Sequence, residues 1–301
     1  MTSDRMYNMI VLVKQVPDTR NITGEVMKDD GTINRSALPA VFNPEDLNAL
    51  EMALQVKEYY GGAVTVVTMG PPTAAQVLRE SLYRGADKVL LLTDRRFAGA
   101  DTLATSYTLK CAIEKIGRYD LVFCGRQAID GDTAQVGPQI AEKLGIPQIT
   151  YAEAINSLEG DEMVVERAFP LGREWVRCKL PCLLTVVGSA NRPRPPSARK
   201  RIEYKLAATP LEYRALLAQW PQFESEQALD AHLAAHNLKI PVWTADDVNA
   251  DPEKLGLGGS PTQVYKVNFV VLGATETKEI PASQEGINAL IQELVKEYIV
   301  G

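Results

Sequence analysis

Four short runs within the first 125 residues are apolar at both alternating positions of a strand. They are residues 9–13 (Met-Ile-Val-Leu-Val), 63–68 (Ala-Val-Thr-Val-Val-Thr), 88–92 (Lys-Val-Leu-Leu-Leu) and 121–124 (Leu-Val-Phe-Cys). Strands buried on both faces read this way, as in a parallel sheet covered by helices. Between the runs the spacing changes to three and four, predicting helices over 44–60, 73–84 and 101–116, and it resumes over 134–144. Asn43 and Asp101 stand where N-caps belong, Pro44 suits a first helical position, and Gly61, Gly85 and Gly117 act as stops. Regular alternation of this kind predicts an α/β fold with a parallel sheet.

The texture changes after Ile149. Residues 163–169, 175–179 and 182–187 alternate as strands of an antiparallel addition, and a Pro- and Arg/Lys-rich loop follows over 191–201. Residues 210–238 look helical with an interruption at Pro221, 251–262 form a glycine-rich loop, and 284–299 spell an amphipathic helix with Ile287, Leu290, Ile291, Leu294 and Tyr298 on one side. The expected division is an α/β domain over 1–204 and an arm over 205–301. The arm's last helix either docks on a partner or closes the chain's own core.

At 301 residues and 46% hydrophobic content the chain can bury one sizeable core and an appendage. Its 32 basic and 38 acidic residues are evenly mixed, which disfavours a nucleic-acid partner. Four cysteines (Cys111, Cys124, Cys178, Cys182) without C-x-x-C pairing point to a reducing cytoplasm, and no apolar run approaches membrane-spanning length. His232 and His236 share a helix face, but no neighbouring residue completes a metal-ligand set, and a solvated face is expected. With no other histidine, hydrolysis through a histidine base is disfavoured, and no catalytic side chain is assigned.

The most informative stretch runs from Cys124 to Pro138 (Cys-Gly-Arg-Gln-Ala-Ile-Asp-Gly-Asp-Thr-Ala-Gln-Val-Gly-Pro): a buried strand entering a turn of small and polar residues that opens a helix. Unpartnered N–H groups and the positive dipole end make a helix start a binding place for phosphate. Asp130 and Asp132 suit turn formation and capping there. The other segments at strand ends, 14–19, 69–72 and 97–102, are also small, polar or turn-forming. No G-x-G-x-x-G follows the first strand and no P-loop occurs. A nucleotide at the carboxyl ends of the strands is the expectation.

The segments 13–18 (Val-Lys-Gln-Val-Pro-Asp), 43–46 (Asn-Pro-Glu-Asp), 68–72 (Thr-Met-Gly-Pro-Pro), 97–105, 124–138, 179–182 (Lys-Leu-Pro-Cys) and 258–262 (Gly-Gly-Ser-Pro-Thr) resemble, in this order, the β subunit of electron transfer flavoproteins (ETF), in the branch related to electron-bifurcating and nitrogen-fixation-associated members. The resemblance implies a HUP-like adenine-nucleotide-binding domain with an antiparallel addition and a C-terminal arm wrapping the ETF α subunit. It implies adenosine contacts from Leu12, Val13, Lys14, Asn43, Pro44, Glu45, Asp46 and Met69, with Gly70 also counted among the cofactor-binding residues. Phosphates would lie against Asp132, Thr133, Ala134, Gln135, Val136 and Gly137, beside Asp130 and Gly131. The β site would hold FAD, with AMP as the alternative; Asp101, Thr102 and Thr105 lie in a small-residue segment that would leave room for the flavin ring. Arg126 would face the flavin or form a surface ion pair.

The implied activity is bifurcation. NAD(H) is the transient substrate, ferredoxin or flavodoxin takes one electron, and a dehydrogenase or quinone oxidoreductase takes the other through the α-bound FAD. A non-bifurcating carrier for acyl-CoA dehydrogenases is the alternative. The related ATP-pyrophosphatases would need a Ser-Gly-Gly-x-Asp-Ser loop where this chain has Lys14-Gln15-Val16-Pro17. The family's dehydrogenase-docking loop carries a leucine and an acidic residue; this chain has Ala190 and Arg192 there, within residues 190–200, so the usual partner is in doubt. The insertion over 210–243 has no assigned role.

Overall fold

The computed structural model describes residues 5–18, 39–262 and 278–296. In chain order these form β1 (Tyr7–Val13), β2 (Gln15–Pro17), β3 (Ala40–Phe42), α1 (Pro44–Tyr60), β4 (Gly62–Met69), α2 (Ala75–Arg84), β5 (Lys88–Leu92), α3 (Thr102–Ile116), β6 (Leu121–Gly125), α4 (Val136–Leu144) and β7 (Gln148–Glu159). They continue as β8 (Glu162–Phe169), β9 (Gly172–Lys179), β10 (Cys182–Val186), α5 (Ala198–Tyr204), α6 (Tyr213–Leu217), α7 (Glu226–Ala235), β11 (Val242–Trp243) and α8 (Gln284–Lys296). Nine strands make one sheet in the order β11-β5-β4-β1-β6-β10-β7-β8-β9, and β2 pairs with β3 in a separate ribbon.

The four apolar runs become β1, β4, β5 and β6, all parallel. Alternate residues of these strands feed two cores. Met9, Val11, Val64, Val66 and Phe123 pack on one face with Leu50 and Leu54 of α1 and Leu78 of α2. Ile10, Leu12, Val67, Leu90 and Val122 pack on the other with Ile113 of α3 and Ile140 of α4. The sheet is therefore wound on both faces, and its strand order reverses between β1 and β6.

Two strand assignments are corrected. Residues 148–159 form the longest strand, β7, which the sequence had not marked; it pairs antiparallel with β8. β10, expected to be antiparallel, is parallel to both neighbours and lies between β6 and β7. All five of its residues are buried, the condition of an inner parallel strand. Residues 198–204, read as loop, form α5, capped by Ser197 accepting from the Lys200 N–H.

The expected boundary at Lys205 falls inside a compact unit. Ala207, Ala208, Tyr213, Leu229, Leu233, Leu238 and Ile240 belong to the first core, Ala245, Val248 and Leu255 belong to the second, and β11 extends the sheet beside β5. Contacts divide the chain after Val264 instead. The second unit is represented by α8, on which Ile287, Leu290, Ile291 and Val295 are exposed. Tyr298 of the expected stripe lies outside the described residues.

Candidate functional site

The loops leaving β1 and β6 meet where the strand order reverses. Asp46, in the first turn of α1, joins them: one carboxylate oxygen accepts from the Lys14 N–H (2.8 Å) and the other from the Gly125 N–H (3.0 Å). Burial pushes its carboxyl up to about 7, against the lowering pull of those donors, Asn43 and the Lys14 charge. The Lys14 ammonium reaches across to both oxygens of Asp130 at 2.7 and 2.8 Å. Gly125 is glycine for a steric reason, since a Cβ there would stand 2.5 Å from an Asp46 oxygen and 2.7 Å from the Glu45 carbonyl carbon.

Asn43 occupies the N-cap position of α1 but does not cap it with its side chain. Fully buried, it donates to the Gln127 carbonyl (2.9 Å) and accepts from the Ile129 N–H (3.1 Å). Glu45 accepts from the Gln127 N–H (2.9 Å) and pairs with the Arg126 guanidinium at 3.1 Å. That hydrogen-bonded pair raises the Arg126 pKa, and the guanidinium also lies 5.7 Å from the Tyr151 ring centroid. Of the two expected roles for Arg126, the structure displays the ion pair.

The helix expected from Ala134 begins at Val136, and Gln135 makes no side-chain cap. Before it, Asp132 and Ala134 adopt left-handed backbone (φ 48° and 53°), a conformation that costs a non-glycine residue energy and is kept where the surroundings impose it. No acceptor among the described residues takes the backbone N–H groups of Thr133, Ala134, Gln135, Val136 or Gly137. Gly131 faces open space, whereas a Cβ at Gly137 would collide with Cys124 and Thr185, so glycine lets α4 sit directly on β6 and β10.

The start of α3 is adjacent and differently equipped. Asp101 caps it by accepting from Leu103 and Ala104, and its other oxygen accepts the Thr262 N–H and hydroxyl. Although desolvation opposes it, these bonds hold the Asp101 carboxyl below its ordinary value. The Asp101 N–H donates in turn to Ser260. Gly99 is packed against Leu257, so its small size serves the 251–262 loop. Thr102 donates to Gln135, Gln139 donates to Thr102, and Ser106 donates to Gln139, tying the two helix starts together.

The remaining expected residues are placed as follows. Leu12 and Val13 bury their side chains in opposite cores, leaving backbone at the strand end. Pro44 opens α1, Met69 ends β4 and the following Gly70 donates its N–H to the Leu92 carbonyl, and Thr105 lies in the first turn of α3 with its N–H on the Asp101 carbonyl. Gln127, Gln139, Tyr151, Ser260 and Thr262 hold the site together without having been singled out; Gln127 and Ser260–Thr262 lay within the motifs, but no spacing rule marks them. In the 190–200 loop, Asn191 exchanges amide hydrogen bonds with Asn48, and Arg194 pairs with Glu51 and Glu58. His232 and His236 stack at 4.3 Å, with His232 in contact with Phe223. Among the described residues there is no cluster of three potential metal ligands and no helix long and apolar enough to cross a membrane.

A sheet wound on both faces, with its loops converging at the reversal of strand order, puts the chain in the doubly wound α/β class. An electron transfer flavoprotein domain model matches residues 30–210. The chain is 43% identical over 293 residues to an electron transfer flavoprotein subunit beta of Clostridium acetobutylicum, covering 97% of this chain and 96% of that one. It is 42% identical to the caffeyl-CoA reductase-Etf complex subunit CarD of Acetobacterium woodii, covering 97% and 99%, and 40% identical to protein FixA of Bradyrhizobium diazoefficiens, covering 96% and 91%. The chain belongs to the electron transfer flavoprotein family, on its β-subunit side.

Proposed function

We propose that this chain pairs with an ETF α subunit, holds FAD at the β1/β6 crevice, and forms part of a complex that draws electrons from NADH and divides them between a ferredoxin or flavodoxin and a dehydrogenase or quinone oxidoreductase. One observation carries the cofactor assignment: five successive backbone N–H groups, Thr133 to Gly137, find no acceptor among the described residues at a helix start without a side-chain cap, while the neighbouring start of α3 is already capped by Asp101. Five donors in a row suit the two phosphates of a dinucleotide better than the single phosphate of AMP. Lys14, half exposed and paired with Asp130, stands on the same rim, where a phosphate could compete with Asp130 for its ammonium. Arg126, fixed by Glu45, places a permanent charge beside the crevice.

A bound flavin supplies the hydride-accepting and one-electron chemistry. The protein's own groups bind and orient it, and none is asked to act as nucleophile or base. The exposed stripe of Ile287, Leu290, Ile291 and Val295 on α8 supports docking of the C-terminal arm on the α subunit. Counting cofactors in the purified heterodimer tests the proposal. Two FAD per heterodimer are expected; one FAD and one AMP would overturn it in favour of a non-bifurcating carrier. Full retention of the β-site FAD after Gly137→Pro would count against the 132–137 assignment.

A further inference from the structure

Past the end of β6 the chain bends at Arg126 and turns over 129–131, with β10 on one edge and no strand on the other. An extended segment turns every second N–H to the same edge, where a neighbouring strand ordinarily accepts it. Here β1 stops at Val13, and the first turn of α1 takes over. Asp46 accepts from the Gly125 N–H at 3.0 Å, Glu45 from the Gln127 N–H at 2.9 Å and Asn43 from the Ile129 N–H at 3.1 Å. Three side chains of one helical turn thus satisfy three alternate amides, and Asn43 returns a bond to the Gln127 carbonyl at 2.9 Å. On the opposite edge, the Arg126 N–H donates to the Val186 carbonyl at 2.8 Å.

These side chains are spent by the arrangement. Both oxygens of Asp46 are taken by backbone N–H groups, both amide atoms of Asn43 by the loop, and the oxygens of Glu45 by the Gln127 N–H and the Arg126 guanidinium. We propose that Asn43, Glu45 and Asp46 are positioning residues: they stand in for a missing strand on the β1 edge, fix the 125–129 backbone in place, and so set where the 130–137 loop presents its amides. They act on the nucleotide through the backbone and not by touching it with their side chains. The proposal rests on the reading of 132–137 as the phosphate site.

Hydrogen exchange on the full chain, freed of nucleotide and then loaded with FAD, tests it with three variants. Glu45→Gln keeps an oxygen for the Gln127 N–H, Glu45→Ala does not, and both lose the Arg126 ion pair. Asn43→Asp keeps an acceptor for Ile129 but sets a carboxylate against the Gln127 carbonyl. In the nucleotide-free chain, Glu45→Ala and Asn43→Asp should speed exchange of the 125–129 amides by about tenfold or more, the effect of losing a bond to a charged or buried partner. Glu45→Gln should stay within about threefold of wild type, and the amides of β4 should not change in any variant. FAD affinity should fall in the same two variants and recover in Glu45→Gln. Unchanged exchange in Glu45→Ala, or equal loss in Glu45→Ala and Glu45→Gln, overturns the proposal, the second outcome because the ion pair would then be what matters. Faster exchange with unaltered affinity would overturn the proposed action on the nucleotide, whereas full FAD retention in Gly137→Pro would instead remove the phosphate-site reading on which it rests.

Discussion

Replacing Gly137 by alanine tests how α4 is seated and therefore how its first amides are aimed. A Cβ at this position would lie 2.7 Å from the Cys124 sulfur and 2.9 Å from the Thr185 methyl carbon. Neither neighbour is free to swing aside, because both belong to inner strands and are buried. Relief to an ordinary separation of about 3.5–4 Å requires the start of α4 to shift outward by roughly an ångström. Overpacking of this sort costs about 1–3 kcal/mol, which would lower the thermal midpoint of a domain this size by several degrees. Cys124→Ala removes the nearer obstacle, so the double variant should be more stable than the sum of the single changes by about 1 kcal/mol, within the range seen for touching residues. Urea midpoints of the four proteins give the coupling. Strictly additive effects, or a Gly137→Ala protein as stable as wild type, would refute the claim that glycine is there to let helix and strand touch.

Two other glycines should behave differently: Gly131→Ala, facing open space, should stay within about 0.5 kcal/mol of wild type, whereas Gly125→Ala, which meets backbone and the Asp46 carboxylate, should be the least stable of the three by urea midpoint. Asp46 gives a pH signature. Its carboxyl at about 7 in the folded chain, against an ordinary 3.8, keeps a proton that the unfolded chain releases. This contribution is therefore complete below about pH 4 and lost as pH rises to 7, at most about 4 kcal/mol. Asp46→Asn should flatten the fall in stability between pH 5 and 7, and matching slopes for the two proteins would contradict this. Asp101→Ala should cost about 1–2 kcal/mol through the lost cap and speed proteolysis near Thr262, while Asp101→Asn should keep most of the stability because an amide oxygen still serves Leu103 and Ala104; equal losses would show the cap to be unimportant.

The strands β1, β4, β5 and β6 were legible because burial on both faces leaves almost no polar residue to interrupt the run, as in Ile10-Val11-Leu12 and Leu121-Val122-Phe123. β7 was not, because Glu153, Asn156 and Glu159 break its apolar pattern, and its partner β8 satisfies its backbone wherever its side chains point. The direction of β10 could have been read from its own run, apolar but for Thr185, but its place directly after an antiparallel pair argued the other way. At the site, the phosphate loop was visible as a turn of small residues before a helix. The tasks of Asn43 and Asp101 look alike in sequence and are separated by tertiary contacts: Asp101 has free helix amides in reach, whereas Asn43 meets the Gln127 and Ile129 backbone across the crevice. Capping chemistry is local, and the sequence separation of 84 between Asn43 and Gln127 lies beyond any spacing rule.

The placement of β10 also dictates an order of assembly. β6 and β7 are separated in sequence by α4 alone, yet in the sheet they are never neighbours, since β10 stands between them and pairs with both. On a growing chain, the strands up to β6 and the β7–β9 meander, whose contacts are local, are complete before Cys182–Val186 has been made. Each then carries an open inner edge of the kind that recruits stray strands. Arrival of one five-residue segment closes both edges together, so the middle of the sheet is filled after the strands on either side of it, with only the two-residue edge strand β11 still to come, and the interval before that step leaves a nascent chain exposed to mispairing.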